Sequence, residues 1–98
     1  MWRQGDLLFA IAESVPPNAK RLDHCVLAEG EMTGHRHSVE QPGVAELFVL
    51  EGIQFLSVIG DAATVVHQEH GPISLPHGVY RVWQQREYSP AEFRRVMD

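Results

Sequence analysis

The 98-residue chain is poor in cysteine and in positive charge, and it has no long apolar run. Its single cysteine, Cys25, excludes an internal disulfide and argues against a secreted, disulfide-stapled domain. Eight Lys+Arg against thirteen Asp+Glu give a net charge of −5, and this deficit of cations disfavours general binding to long nucleic acid. The run Leu7 to Ala12 is too short for a membrane span or a signal peptide. We therefore expect a cytoplasmic protein without a membrane partner, and a small anionic ligand stays compatible with the charge.

What the chain does contain fits one small β-rich domain over residues 1–98, because 44% apolar residues suffice for one core and the length excludes two. Apolar runs of roughly four to seven residues are separated by Gly, Pro, Asn or Asp, which is typical of strands and turns. The predicted strands are Leu7–Ile11, Asp23–Ala28, His35–Glu40, Glu46–Leu50, Gln54–Ile59, Thr64–His67, Ile73–Leu75 and Val79–Gln84.

Two local patterns complete the fold prediction. Glu51-Gly52 predicts a two-residue hairpin turn, with Gly52 at a position that needs positive φ. Ser89-Pro90-Ala91-Glu92 matches a capping box and predicts a short helix over about residues 90–97. The expected fold is all-β and mostly antiparallel, a small barrel or sandwich with a C-terminal helix. Many short strands in so small a chain also favour a homodimer that completes the sheet.

Histidine is the informative residue type, with six copies in the chain. Four of them form two tight groups, His35-Arg36-His37 and His67-Gln68-Glu69-His70. Residues two apart on a strand share a face, so His35 and His37 are expected to project side by side. The chain must turn at Gly71-Pro72, which allows His70 to fold back toward the same site. His24 and His77 are isolated, and we interpret them as structural.

One chemistry that suits grouped imidazoles is the binding of a divalent metal such as Zn, Fe, Ni or Mn. The segments His35-x-His37-x-x-Glu40, Gly71 and Pro76-x-Gly78 resemble the two cupin motifs over residues 34–80. The Glu40 spacing is one residue short, and Arg81 stands where a cupin histidine is expected. The resemblance implies a cupin-like barrel whose metal is held by His35, His37, Glu40 and His70, with His67 as a further candidate.

The second chemistry is metal-free acid–base cleavage of a phosphodiester, in which one histidine accepts a proton from a ribose hydroxyl and another protonates the leaving oxygen. Histidine pairs titrate near neutral pH, so one member can be neutral while the other is charged. Here His35 and His37 are the acid–base candidates, with His67 and His70 supporting or sharing that role, and no cofactor is needed. The expected ligand contacts are Arg36, Arg81, Arg86 and Tyr88, and Trp83 or Tyr88 is placed to stack on a base.

Three segments also resemble those of short bacterial and phage-borne proteins that are similar to ring nucleases of type III CRISPR defence. They are Thr33-Gly34-His35-Arg36-His37, His67-Gln68-Glu69-His70-Gly71-Pro72-Ile73 and Gln85-Arg86-Glu87-Tyr88. This resemblance implies a homodimer that cuts a cyclic oligoadenylate across its two-fold axis without metal, in antiviral defence. The leading functional prediction is therefore a histidine phosphodiesterase that acts on a small RNA-type ligand.

A third class stays open, namely a non-enzymatic β domain that binds a protein partner. In that case Trp2, Phe9, Phe48 and Phe55 form either the core or an interface. Such a module would neither hold a metal nor cleave a phosphodiester, and histidine-to-alanine changes would leave its binding intact.

Overall fold

The computed structural model describes residues 1–30 and 33–85, and within these ranges the chain is entirely β. The eight strands are β1 (Trp2–Gln4), β2 (Leu7–Ala12), β3 (Lys20–Arg21), β4 (Val26–Glu29), β5 (Arg36–Val39), β6 (Ala45–Leu50), β7 (Ile53–Val66) and β8 (Ile73–Gln84). Every pairing between them is antiparallel. The all-β, antiparallel prediction is confirmed, whereas the helix predicted near residues 90–97 lies outside the described residues. Residues 1–30 and 33–85 include no helix with the length and apolarity needed to cross a bilayer.

The strands form one sheet in the order β1-β2-β8-β7-β5-β4, with β6 also pairing to β7 and β3 to β6. The long strands β7 and β8 form the backbone of this sheet. The first part of β7 pairs with β6, and its last residues pair with β5, so the two ends of β7 carry different neighbours. No ladder among the described strands joins β1 to β4, so the sheet is open. Of the two expected architectures, the sandwich-like one therefore fits and a closed barrel does not.

A bulge bends the sheet in the middle of β7 and β8. The register shifts between the pairs Val58↔Gly78 and Ala62↔Pro76. The amides of Ile59 and Gly60 donate instead to the Val44 carbonyl, at 2.8 and 3.1 Å. The sequence predicted strand ends at Gly60-Asp61 and at Pro76-His77-Gly78, and that prediction is wrong. A bulge tolerates glycine and proline because the ladder is already interrupted there, so these residues bend two long strands without ending them.

The predicted hairpin at Glu51-Gly52 is confirmed. Leu50 pairs with Ile53 across the turn, and Glu51 and Gly52 both have positive φ, 50° and 81°. This is the geometry of a type I′ turn, whose twist matches that of the flanking strands. Strands β1 and β3 were not predicted, because two or three residues are too few to show an alternating pattern.

The interior is lined by alternate residues of the paired strands. The buried apolar side chains are Leu7, Leu8, Phe9, Leu27, Leu47, Leu56, Val58, Ala63, Val65, Leu75, Tyr80 and Val82. Tyr80 and Val82 face the core, and the half-buried Trp2 ring packs edge-on against Tyr80 at 5.3 Å between centroids. Phe48 and Phe55 lie opposite each other on β6 and β7 and are half-buried.

Two polar side chains are buried with this core among the described residues, Gln4 (2% exposed) and His37 (5% exposed). They come from β1 and β5, which are far apart in the strand order. Their contact shows that the sheet curls until β1 faces β5 across the interior. This curl brings the start of the chain against the predicted histidine site.

Candidate functional site

The four grouped histidines lie together at one end of the sheet, and we call them the histidine cluster: His35, His37, His67 and His70. The pairing of β5 with β7 explains their meeting. Ser38 is opposite Val66 and Val39 is opposite Val65, so the next position in this register places His37 opposite His67. The ring centroids of His37 and His67 are 4.3 Å apart, with an angle of 34° between the rings. Two residues 30 positions apart in sequence thus become cross-strand neighbours.

His70 lies in the connection between β7 and β8, which folds back over the end of the sheet. Its ring is 4.7 Å from that of His67 and stacks parallel to that of His37 at 6.2 Å. Gly5, in the turn between β1 and β2, lies directly beneath it, since an added Cβ there would be 2.6 Å from His70 Nε2. Gly5 also has a φ of +60°. The turn therefore requires glycine for both its conformation and its contact with His70.

His35 also stands beside His67, with 5.7 Å between the ring centroids and 87° between the rings. Its Nδ1 is 2.6 Å from Oε1 of Glu69, and this contact becomes a salt bridge when His35 is protonated. The next residue along, Arg36, donates its backbone N–H to Oε1 of Gln68 at 2.9 Å. The segment His67-Gln68-Glu69-His70 therefore supplies two histidines of the cluster and two side chains that position the start of β5.

Gln4 determines which nitrogen of His37 carries a proton. The Gln4 Nε2 donates to the carbonyls of Val65 and Gly71, both at 2.9 Å, so its amide orientation is fixed. The remaining Oε1 is 2.8 Å from His37 Nδ1 and can only accept. His37 therefore has its proton on Nδ1. Its Nε2 carries a free lone pair whenever the ring is neutral.

His67 has the opposite tautomer. Its Nδ1 accepts the backbone N–H of Glu69 at 3.0 Å, so in the neutral ring the proton is on Nε2. A hydrogen-bond acceptor on His37 and a hydrogen-bond donor on His67 thus stand on adjacent rings, whose planes are tilted by 34°. This arrangement can bind a group that both donates and accepts, such as a hydroxyl beside an anionic oxygen.

Asp6 lies beside the basic nitrogen of His37, with 3.7 Å between Oδ1 and Nε2. Its Oδ2 accepts a hydrogen bond from Gln84 Nε2 at 2.7 Å, and its backbone carbonyl accepts the N–H of Gln85 at 2.7 Å. These bonds to the end of β8 orient the carboxylate. A proton gained at His37 Nε2 would therefore be stabilised by a nearby fixed negative charge.

Two histidines of the cluster have lowered pKa values. Burial lowers the pKa of His37 below its ordinary value, and the charges of His67 and His70 lower it further, against an opposing effect of Asp6. For His67, burial and the charges of His70 and His35 lower the pKa, and Glu69 and Asp6 oppose them. Both rings are therefore neutral near pH 7, which keeps the lone pair of His37 available.

The ligand set expected for a cupin-like metal is not assembled in this arrangement. Glu40 follows the far end of β5 and lines a separate cavity of about 450 Å³, beside Cys25 and His24. Across the part of the chain that the structure describes, no three His, Cys, Asp or Glu side chains are grouped as metal ligands. The rings of His37 and His70 are nearly parallel, with 10° between their planes, whereas metal ligation requires ring nitrogens to converge on one point.

The two isolated histidines stay outside the cluster, in line with their structural interpretation. His24 accepts the backbone N–H of Val26 at 3.1 Å through Nδ1, and it is exposed. His77 lies at the bulge, with Nδ1 3.3 Å from the Gly60 carbonyl. Each makes a local or surface contact and neither touches the four clustered rings.

The arginines predicted to contact the ligand occupy different places. Arg36 is exposed at the start of β5, next to the cluster. Arg81 is exposed on β8 and lies over the Trp83 ring at 5.4 Å, along a cavity of about 490 Å³ at another part of the sheet. Arg86 and Tyr88 lie outside the described residues. Arg3, which sequence reasoning missed, donates from Nε to the Gly5 carbonyl at 2.9 Å and so stands beside the turn that supports His70.

The sequence interpretation also missed Gln4, Asp6 and Glu69. Glu69 had a signal, since it lies between two of the grouped histidines. Gln4 and Asp6 had none, because their contact with His37 depends on the curl of the sheet and spans about 30 residues of sequence. Only a turn at Gly5 could have been anticipated from the local pattern.

The fold and the site define a small open-sheet β protein with a histidine cluster at one end. The chain belongs to a domain family of unknown function, DUF8820, whose profile matches residues 3–85. This match covers both Gln4 and all four histidines of the cluster. No curated protein and no solved structure shows significant similarity to the chain.

Proposed function

We propose that the protein is a metal-independent phosphodiesterase that cleaves a small RNA-type ligand by histidine acid–base catalysis. The observation that supports this most directly is the fixed tautomer of His37. The Gln4 hydrogen bond leaves Nε2 as a basic nitrogen beside the Nε2–H donor of His67. A general base next to a neutral donor is what attack by a ribose hydroxyl on a phosphodiester needs.

The reaction divides among three residues of the cluster. His37 Nε2 takes the proton of a ribose 2′-hydroxyl, and the 2′-oxygen forms a bond to phosphorus. His67 donates a hydrogen bond to a non-bridging oxygen as charge develops on it. The bond from phosphorus to the 5′-oxygen breaks, and that oxygen takes a proton from His35. The products are a 2′,3′-cyclic phosphate and a free 5′-hydroxyl.

His35 fits the role of general acid because of its position and its partner. Like His37, it neighbours the His67 ring, at 5.7 Å against 4.3 Å for His37, so the acid and the base both adjoin His67. Glu69 contacts its Nδ1 at 2.6 Å, which stabilises the ring when it carries two protons and directs Nε2 away from that contact. Each proton-transfer role is typically worth about 10²–10⁴ in rate.

The substrate in this proposal is compact and anionic, in keeping with the net charge of −5. Arg3 and Arg36 flank the cluster and can contact phosphate. A cyclic oligoadenylate, as the ring-nuclease resemblance implies, meets these requirements. A homodimer would bring two clusters to one symmetric ring, and the reaction would take place in the cytoplasm.

The test is cleavage of linear and cyclic oligoribonucleotides by untagged protein in excess chelator, with products identified by mass spectrometry. We expect products ending in a 2′,3′-cyclic phosphate. The same oligonucleotide with 2′-deoxyribose at the scissile position should stay intact, because it lacks the attacking hydroxyl. Cleavage of the deoxy substrate, or no cleavage of any ribonucleotide, would reject the mechanism.

Elemental analysis of the same preparation decides between this proposal and its alternatives. About one divalent metal per chain, with activity lost in chelator and lost after His35 and His37 are both changed to Ala, would establish the cupin-like metal function instead. A folded protein that neither cleaves nor holds metal would favour the partner-binding module. Light scattering during gel filtration measures the oligomeric state independently.

A further inference from the structure

The most constrained side chain of the site outside the histidine cluster is Gln4. It is 2% exposed, and its three hydrogen bonds reach Val65 O at the end of β7, Gly71 O in the β7–β8 connection and His37 on β5. These partners are 61, 67 and 33 residues away in sequence. Gln4 therefore joins three elements of the site at one buried amide.

We propose that Gln4 is a positioning residue that holds His37 in the Nδ1–H tautomer and so creates the basic nitrogen of the site. The catalytic part of this inference rests on the proposed function, whereas the tautomer part does not. Both hydrogens of the Gln4 amide are committed to carbonyls, so its oxygen is the only group it can present to His37. The imidazole must then donate from Nδ1.

Asp6 is the reason that His37 needs a hydrogen-bond acceptor at Nδ1 to keep this tautomer. Its carboxylate is 3.7 Å from Nε2 of His37 and attracts a proton to that nitrogen. Without an acceptor at Nδ1, the proton of the neutral ring would move to Nε2 and form a hydrogen bond toward Asp6. The base would then have no lone pair facing the site. Gln4 and Asp6 thus compete for the same proton, and the buried bond to Gln4 decides where it lies.

The test compares two substitutions of Gln4 with a matched control on the same sheet. Gln4→Leu keeps the approximate volume but removes the acceptor. Gln4→Glu keeps an acceptor for Nδ1–H. The control is Gln41→Leu, because Gln41 also makes two side-chain hydrogen bonds to β7, both with Thr64, but touches no histidine.

The main readout is the tautomer of His37, measured by long-range ¹H–¹⁵N correlation spectra of the labelled protein at a pH where the cluster is neutral. In the unaltered protein and in Gln41→Leu we expect a protonated Nδ1 and an unprotonated Nε2. In Gln4→Leu the pattern should reverse, and in Gln4→Glu it should stay as in the unaltered protein. A reversed tautomer in the unaltered protein, or an unchanged one in Gln4→Leu, would overturn the inference.

Turnover supplies the second readout. Gln4→Leu should lower kcat by about 10²–10⁴, the range typical for loss of a general base, with KM nearly unchanged because Gln4 is buried. Gln4→Glu should recover part of this loss, whereas a purely structural role predicts equal defects in both variants and overturns the inference. If Gln4→Leu fails to fold, the Gln4→Glu spectrum still decides, since a reversed tautomer there contradicts it. A tautomer that reverses in a protein without ribonuclease activity rejects the proposed function and leaves the positioning role of Gln4 in place.

Discussion

The two ends of the sheet carry similar residue types in very different arrangements. At one end, the histidine cluster is held by Gln4, Asp6 and Glu69, and the buried bonds of Gln4 join residues 33 to 67 positions apart. At the other end, the 450 Å³ cavity is lined by His24, Cys25, Glu40 and Glu46, among others. His24 bonds there to the amide two residues away and is exposed. Contacts between residues distant in sequence fix His37 and His35 of the cluster, whereas the hydrogen bond of His24 is local.

The cavity also differs from the histidine cluster because it is lined by a thiol, that of Cys25. The Cys25 thiol is half-buried and donates to the Ala45 carbonyl at 3.4 Å. Burial and then the charge of Glu46 raise its pKa, against an opposing effect of Arg21. The thiol therefore stays protonated near pH 7 and is a weak nucleophile. We therefore expect catalysis at the histidine cluster, where buried partners fix the protons, and not at the cavity.

The largest expected effect is loss of turnover when a histidine is removed from the cluster end and not from the cavity end. His37→Ala should lower kcat by about 10²–10⁴, because it removes the proposed general base. His67→Ala should also cause a clear loss, since it removes the donor to the phosphate. His24→Ala and His77→Ala should leave turnover within about twofold, because neither ring touches the cluster. The measurement is the cleavage rate of a ribonucleotide substrate in chelator.

Fold integrity is the control for this comparison, since His37 is buried and its removal leaves Oε1 of Gln4 without a partner. A leftover buried polar group costs about 1–3 kcal/mol, so His37→Ala should unfold at lower denaturant concentration but still be folded in buffer. Equal activity of His37→Ala and His24→Ala would refute the assignment of the site to the cluster end.

Gly5 and Gly52 provide a second comparison, between a glycine in contact with the histidine cluster and a glycine in the hairpin turn. Gly5 and Gly52 both have positive φ, 60° and 81°, but only Gly5 has a ring above it. Alanine at either position should lower the free energy of unfolding by roughly 1–2 kcal/mol because of the left-handed conformation. Gly5→Ala should in addition displace His70, since its Cβ would be 2.6 Å from Nε2.

The readout for this pair is the set of histidine ring signals in NMR spectra together with the cleavage rate. Gly52→Ala has nothing within 4 Å of its added Cβ and should leave both unchanged. Gly5→Ala should shift the His70 and His67 signals and lower turnover. The same spectra and rates in both variants would show that His70 tolerates the displacement and is not needed in the site.

The sequence predicted the elements whose signals are local. The Glu51-Gly52 hairpin and the all-β, antiparallel class follow from turn chemistry and from short apolar runs between turn residues. The continuity of β7 and β8 did not, because Gly60 and Pro76 usually end strands and here occupy a bulge. Whether such a residue ends or bends a strand depends on partners elsewhere in the chain. Here the carbonyl of Val44, just before β6, accepts the N–H groups of Ile59 and Gly60.

The candidate site, like the fold, was predictable where its signals are local and not where they depend on distant contacts. Grouped histidines were recognisable because His-x-His and His-x-x-His are contiguous patterns, and the structure brings all four together. Their roles were not distinguishable, because the tautomer of His37 depends on Gln4 and that of His67 on a loop amide. The expected metal ligand Glu40 failed to join them for a related reason. Its spacing from His37 in sequence does not show that it lies at the other end of β5.

A third experiment uses the pH dependence of stability. The pKa values of His37 and His67 are lowered in the folded protein from an ordinary value of 6.5. As pH falls through 6.5 the unfolded chain takes up protons before the folded one, so the free energy of unfolding should decrease toward acid until the folded histidines titrate too. The slope is at most about 1.4 kcal/mol per pH unit for each extra proton bound by the unfolded chain.

Two histidine variants, one at each end of the sheet, show which residues cause this pH dependence. His37→Ala should flatten this slope between pH 6.5 and the acid limit of the transition, because one shifted group is gone. His24→Ala should keep it, since that ring is exposed and bonded only locally. Urea unfolding curves at a series of pH values measure both. A slope that survives in His37→Ala and His67→Ala alike would show that other groups cause it.

The smallest expected effect concerns Asp6, which is exposed and acts on the cluster through charge alone. Its carboxylate raises the pKa values of His37 and His67, whereas burial and the neighbouring histidines lower them. In Asp6→Asn the oxygen that accepts from Gln84 is kept while the charge is lost. The acid limb of the rate profile, which follows protonation of the proposed general base His37, should therefore move to lower pH by less than about one unit, since surface charges interact weakly. Glu40→Gln is the matched control, because that carboxylate lines the other cavity, and its profile should coincide with that of the unaltered protein.

Raised salt should shrink the Asp6→Asn shift, because it screens the lost interaction. A shift of the same size in Glu40→Gln would mean that net charge, and not the position of Asp6 beside Nε2, sets the titration of the cluster.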